Sequence, residues 1–201
     1  MTLERLFVKL RGKGRYATVD DIRNVFGDYH NALHWMADFL LGDKKLAEAC
    51  IIDACTIAQT QGPTFHEWLV HWAARATARC AFQRHQASIL ELAPEYEKGE
   101  AVEQTHRPLS AEYFQRLIEN SDLLKAQLDV LCRFVLVYRG IAKDPTKAVA
   151  SELGITPIAA ERAYDTAIGV LDLLERGAVR EQTLPRGGHI YHESVLAASI
   201  D

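Results

Sequence analysis

The stretch KAVASELGITPIAAERAYDTAI, from Lys147 to Ile168, decides the fold. Val149, Ala150 and Leu153 lay an apolar stripe at helical spacing ahead of Gly154, so a short helix is predicted to end where the chain turns left-handed, a conformation glycine adopts without steric penalty. Thr156 is placed to cap a second helix. Pro157 follows at its first position, where a missing N–H leaves no bond unmade. Two helices joined by a short glycine-containing turn form a helix-turn-helix, which is a DNA-binding candidate.

Helical patterning extends outward on both sides. Upstream, residues 110–118 and then 121–138 carry it, the latter through Leu124, Leu128, Leu131, Cys132, Val135 and Leu136. Downstream, the second helix is predicted to reach Arg176. Earlier in the chain, Ile22, Val25, Phe26, Tyr29, Leu33, Met36, Leu40 and Leu41 predict one helix capped by Asp20 or Asp21 and ended by Gly42-Asp43. A second helix is expected over 44–60, with Leu46, Ala49, Cys50, Asp53, Ala54 and Ile57 along one side and Gly62-Pro63 closing it. A third, over 64–84, carries Phe65, Trp68, Leu69, Trp72, Ala73, Ala76 and Cys80 and has the length of a bundle's central helix. The expectation is therefore all-α. Two small helical domains, a three-helix-type bundle over 19–86 and a helix-turn-helix bundle over 110–176, are joined by a polar linker at 87–109. Residues 1–18 read as a flexible basic arm and 177–201 as a tail, and neither a strand nor an internal repeat is expected. The RGKGR run at 11–15 lacks the spacing of a phosphate-binding loop.

Composition narrows the partners. With 201 residues and a formal net charge of −4, the chain lacks the general basicity of a protein that clings to nucleic acid everywhere, so any DNA-facing surface must be local. Cys50, Cys55, Cys80 and Cys132 include no CxxC pair and read as reduced, mostly buried thiols of a cytoplasmic protein. No run approaches membrane-spanning length, so no membrane partner is expected.

Two separated segments together resemble the RNA polymerase sigma factors of the extracytoplasmic-function type. GDKKLAEACIIDA with FHEWLVHWAARATARCAFQR is similar to the family's second conserved region, and LDVLCRFVLVYRG with AVASELGITPIAAERAYDTAI is similar to its fourth. The resemblance covers roughly residues 29–175. It implies a protein of transcription initiation whose partners are core RNA polymerase and promoter DNA. Glu48 and Asp53 match acidic positions of the helix that docks on the polymerase clamp, although Ala49 and Ile52 replace the neighbouring polar residues. Arg75, Arg79 and Arg84 lie on the promoter-opening helix, where arginines meet phosphates without reading sequence. Thr156, Pro157, Ala160, Glu161 and Arg162 fall at the start of the recognition helix. There Glu161, Ala163 and Thr166 stand where the family usually carries cations, Asp165 lies beside them, and Arg162 is the one basic residue left. Carboxylates facing a DNA backbone are repelled. A second expectation therefore stands beside the first: a sigma-like interaction protein that binds polymerase or another regulatory protein without reading DNA.

Enzymatic constellations are weaker. His30 and His34 share a helix face at metal-ligand spacing but lack an evident third ligand, and they read as surface or boundary histidines. His66-Glu67 with His71 departs from the zinc-protease pattern, since Val70 occupies the second histidine's place. Trp35, Trp68 and Trp72 fall at core spacings rather than forming a base-stacking platform. His189 to His192 reads as a surface segment of the tail. The expectation is a non-enzyme with no cofactor and no metal.

Overall fold

A computed structural model describes residues 15–60, 64–98 and 111–175. The described chain is α-helical apart from short connections and one isolated antiparallel bridge between Tyr16 and Phe65. In order the helices are α1 (Val19–Asp28), α2 (His30–Leu41), α3 (Lys44–Thr60), α4 (Leu69–Glu97), α5 (Ala111–Glu119), α6 (Ser121–Gln127), α7 (Val130–Val135), α8 (Thr146–Leu153) and α9 (Pro157–Glu175). A single 3₁₀ turn, His66–Trp68, leads into α4, and a π-helical turn, Leu136–Ile141, continues α7.

The local chemistry of the helix-turn-helix is as expected. Gly154 has φ +67°, the Thr156 hydroxyl accepts from the Ala159 N–H at 3.2 Å, and Pro157 opens α9. At the other end of the chain, the cap of α1 is Thr18 rather than Asp20 or Asp21. Its hydroxyl accepts from the Asp21 N–H while the Asp21 carboxylate accepts from the Thr18 N–H, a reciprocal capping box. Those bonds, the Thr18 backbone first, hold the Asp21 carboxyl below the usual carboxylate range.

Three helix boundaries differ from the sequence pattern. The helix expected across 20–41 breaks at Tyr29 (φ −105°, ψ 11°), two residues after the weak helix former Gly27. The helix expected across 121–138 is divided at Leu128, whose backbone is extended, before Asp129 caps α7 through the Cys132 N–H at 2.8 Å. Most consequential, α4 continues past Arg84 to Glu97 and contains Pro94, so the linker expected from residue 87 begins as helix. Residues 99–110, the arm up to residue 14, the Gly62-Pro63 turn and the tail from residue 176 lie outside the described residues.

The two expected halves pack on a shared hydrophobic cluster that joins Leu33, Phe39, Leu69 and Ala81 to Phe134, Val135, Tyr138, Leu153 and Tyr164. Helix α4 is its axis, touching α1, α2 and α3 on one side and α7, α8 and α9 on the other. Phe82 meets Phe134 edge-on across the join, with centroids 6.2 Å apart. Polar contacts follow the same line. Lys125 of α6 reaches the buried Asp38 of α2 at 2.7 Å, and Arg133 of α7 donates to the Phe39 carbonyl at 3.1 Å, covering the end of α2. Burial alone would depress Lys125, but its bonds to Asp122 and Asp38 outweigh that and raise it. At Gly42 a side chain is doubly excluded: φ is +72°, and a Cβ would stand 2.8 Å from the Arg133 guanidinium.

Candidate functional site

Helix α3 begins with Asp43, whose carboxylate accepts from the N–H groups of Lys45 (2.8 Å) and Leu46 (3.0 Å); these bonds, Leu46 first, hold its carboxyl low. Its inner face buries Ala47, Cys50, Ile51, Ala54 and Ala58. Its outer face leaves Leu46, Ala49, Ile52, Asp53, Thr56 and Ile57 exposed, with Ile52 at 58%. A branched aliphatic at that exposure adds nothing to the core, so it is available to a partner.

The two sequence-predicted docking residues flank this face. Glu48 leans toward α2, where its carboxylate lies 3.2 Å from His30 Nε2 and 3.9 Å from His34 Nε2. A carboxylate therefore does join the two histidines, supplied by a different helix and invisible to periodicity. Even so, no group of three His, Cys, Asp or Glu among the described residues is arranged to hold a metal ion. Asp53 leans toward α4 and binds Arg84 at 2.6 Å, a bond that raises the arginine's basicity.

The arginines expected to meet DNA have protein partners. Arg75 pairs with Asp144 and lies over the Tyr138 ring, 5.3 Å from its centroid. Arg79 binds Glu152 through two nitrogens at 2.9 and 3.1 Å. Arg84 binds Asp53 and also donates to Cys80 Sγ at 3.3 Å. Asp144 and Glu152, the acceptors from the second half, are the residues sequence reasoning missed. Nothing in local spacing links positions about seventy residues apart.

The helix-turn-helix is tied to the last turn of α4. The Thr156 hydroxyl donates to Glu97 at 2.7 Å, Arg162 donates to the Tyr96 carbonyl at 3.1 Å, and the Tyr96 hydroxyl donates to Asp129 at 2.5 Å. Burial first, then the neighbouring Cys132 and Asp129, push the Tyr96 phenol far up, so it stays a donor. Glu161 does not project outward. Arg139 grips it at 2.8 Å, Thr146 donates to it at 2.9 Å, and the same guanidinium stacks 4.3 Å from the Tyr164 ring centroid. Ala160 is fully buried with Ala159 and Ala163, whereas Pro157 and Ile158 are exposed. From Ala159 to Leu174 no residue of α9 is exposed.

The tryptophans divide. Trp35 and Trp72 are half-buried against the core, as expected, but Trp68 is 44% exposed and meets Phe65 edge-on at 5.5 Å. Trp72 instead lines a cleft of about 300 Å³ between α3, α4 and α8, together with Ile57, Arg75, Arg79, Cys80 and Glu152. No helix of the described residues is long and apolar enough to cross a membrane.

Comparison of the chain with protein-family models, with curated proteins and with solved structures found no match.

Proposed function

We propose that this chain is a sigma-like interaction protein of transcription that docks on RNA polymerase through the outer face of α3, with its helix-turn-helix serving as packing rather than as a DNA reader. One observation carries this reading: beyond Ile158, α9 has no exposed residue among those described. A recognition helix must lay several side chains against base edges in the major groove. The engagement of Glu161 by Arg139 and Thr146 agrees with this, because a carboxylate held inside by a cation belongs to the fold. On α3, exposed Leu46, Ile52 and Ile57, with Glu48 and Asp53 at the flanks, offer the apolar centre and polar edge of a protein contact.

Arg79 favours promoter binding as the second reading. Its side chain is 58% exposed, and a surface pair such as Arg79–Glu152 contributes only about 0–1 kcal/mol, so a phosphate competes with Glu152 on even terms. Both readings are tested by capturing core polymerase on the immobilised chain, with and without a promoter library, across a salt series. The expected result is capture of polymerase with no DNA retention attributable to the chain. Sequence-selective retention that weakens steeply with salt would replace this proposal with the promoter-binding one.

A further inference from the structure

Helices α3 and α4 meet along a seam, and both are rich in small buried residues: Ala47, Ala54 and Ala58 on α3, and Ala73, Ala74, Ala78 and Ala81 on α4. Small side chains let helix axes approach at the near end of the usual range of about 8–10 Å. Two cysteines lie in this seam. Cys50 Sγ donates to the Thr77 carbonyl at 3.5 Å, so Cys50 of α3 packs against the turn of α4 that leads to Cys80. Arg84 donates to Cys80 Sγ at 3.3 Å while Asp53 anchors its other nitrogen at 2.6 Å. Cys80, but not Cys50, lines the cleft between α3, α4 and α8.

The other two cysteines lack this combination. Cys55 is more exposed, but its sulfur meets the Gln59 amide at 3.2 Å rather than a cation. Cys132 is buried beneath the Tyr96 hydroxyl at 3.0 Å, away from the cleft.

We propose that Cys80 and Cys50 form a dithiol site oxidised by hydrogen peroxide, Cys80 being attacked first from the cleft and Cys50 resolving the product to a disulfide between α3 and α4. In the first step the Cys80 thiolate gives an electron pair to one peroxide oxygen. An S–O bond forms, the O–O bond breaks, and the departing hydroxide takes a proton to leave as water. In the second, Cys50 sulfur attacks the sulfenic sulfur and loses its proton. The S–S bond forms, the S–O bond breaks, and a second water leaves. Two thiols and one peroxide thus give one disulfide and two waters. Arg84 sets a positive charge against the sulfur that must carry the electron pair outward. Burial first, and then the adjacent Cys80, push the Cys50 thiol up, which keeps it protonated and leaves the first step to Cys80. Oxidation also changes the sulfur that Arg84 meets, and the arginine's other partner, Asp53, lies on the outer flank of α3. The site stands whatever α3 docks against.

The test uses the full chain, reduced, exposed to one equivalent of hydrogen peroxide and mapped by mass spectrometry without reduction. Loss of two of the four thiols and a Cys50–Cys80 cross-linked peptide within one chain are expected. In Cys50→Ala, dimedone is expected to label Cys80, and Arg84→Gln is expected to slow thiol loss about tenfold. Unchanged thiols, a cross-link through Cys55 or Cys132, a cross-link between chains, or an undiminished rate in Arg84→Gln would each overturn the proposal. The map of the unaltered chain decides the cross-link whether or not the variants fold.

Discussion

Helices α3 and α9 are similar in length, and each carries alanines inward and acidic residues elsewhere, yet they use them oppositely. Helix α3 buries alanines against α4 and leaves Leu46, Ile52 and Ile57 in solvent. Helix α9 buries Ala159, Ala160, Ala163 and Ala167, hands Glu161 to Arg139, and beyond Ile158 leaves nothing exposed among its described residues. The helix with the more DNA-like sequence context is thus the one committed to the fold. The helix with surplus apolar surface is the one open to a partner.

Substitutions that separate structural from available residues sharpen this contrast, taken here by their expected effect on stability. Lys125→Met removes the cation from Asp38, whose side chain is only 10% exposed, and is expected to lower unfolding free energy by about 3 kcal/mol in urea titrations. Adding Asp38→Leu should recover most of that loss, because it removes the stranded carboxylate. Glu161→Ala removes the buried carboxylate that Arg139 and Thr146 bind and is expected to cost about 2 kcal/mol while leaving DNA affinity unchanged. A gain in DNA binding without loss of stability would put Glu161 outside the fold and break the contrast.

Acid supplies a milder probe. His85, on α4, is half-buried; burial first, then Arg133, lowers its basicity below the ordinary histidine value of 6.5. Its folded-state proton affinity is below that of the unfolded chain, so its contribution is fully present above pH 6.5 and is lost as pH falls through the lowered value. Thermal melts should show a decline below that pH that His85→Gln reduces. Ile52→Asp should have the smallest effect on folding, within about 0.5 kcal/mol, while abolishing polymerase capture. A large loss of stability instead would place Ile52 in the core.

The sequence was most informative where chemistry is local. Gly154, Thr156 and Pro157 specify a turn by what each backbone can do, and the structure places all three in those roles. The bounds 44–60 of α3 also followed from periodicity and flanking turn residues. Legibility ended where distant residues decide. The apolar pattern from Ile22 to Leu41 runs unbroken across Tyr29, so the helix break there left no mark in it. The residues from 87 on, Pro94 among them, read as a polar linker, but Tyr96 and Glu97 are held by Asp129, Arg162 and Thr156, and those bonds outweigh the local preference. The arginines were visible as cations, whereas Asp144 and Glu152 became their partners only through packing. The docking role proposed for Glu48 rests on a resemblance, whereas its place beside His30 and His34 left no mark in the sequence.

Hydrogen–deuterium exchange of the chain bound to core polymerase, with and without promoter DNA, tests the assignment most directly. New protection over Lys44–Thr60, with Pro157–Glu175 unchanged in both samples, is the predicted result. Protection that appears in Pro157–Glu175 only when DNA is added, with Lys44–Thr60 unaffected by polymerase, would contradict it.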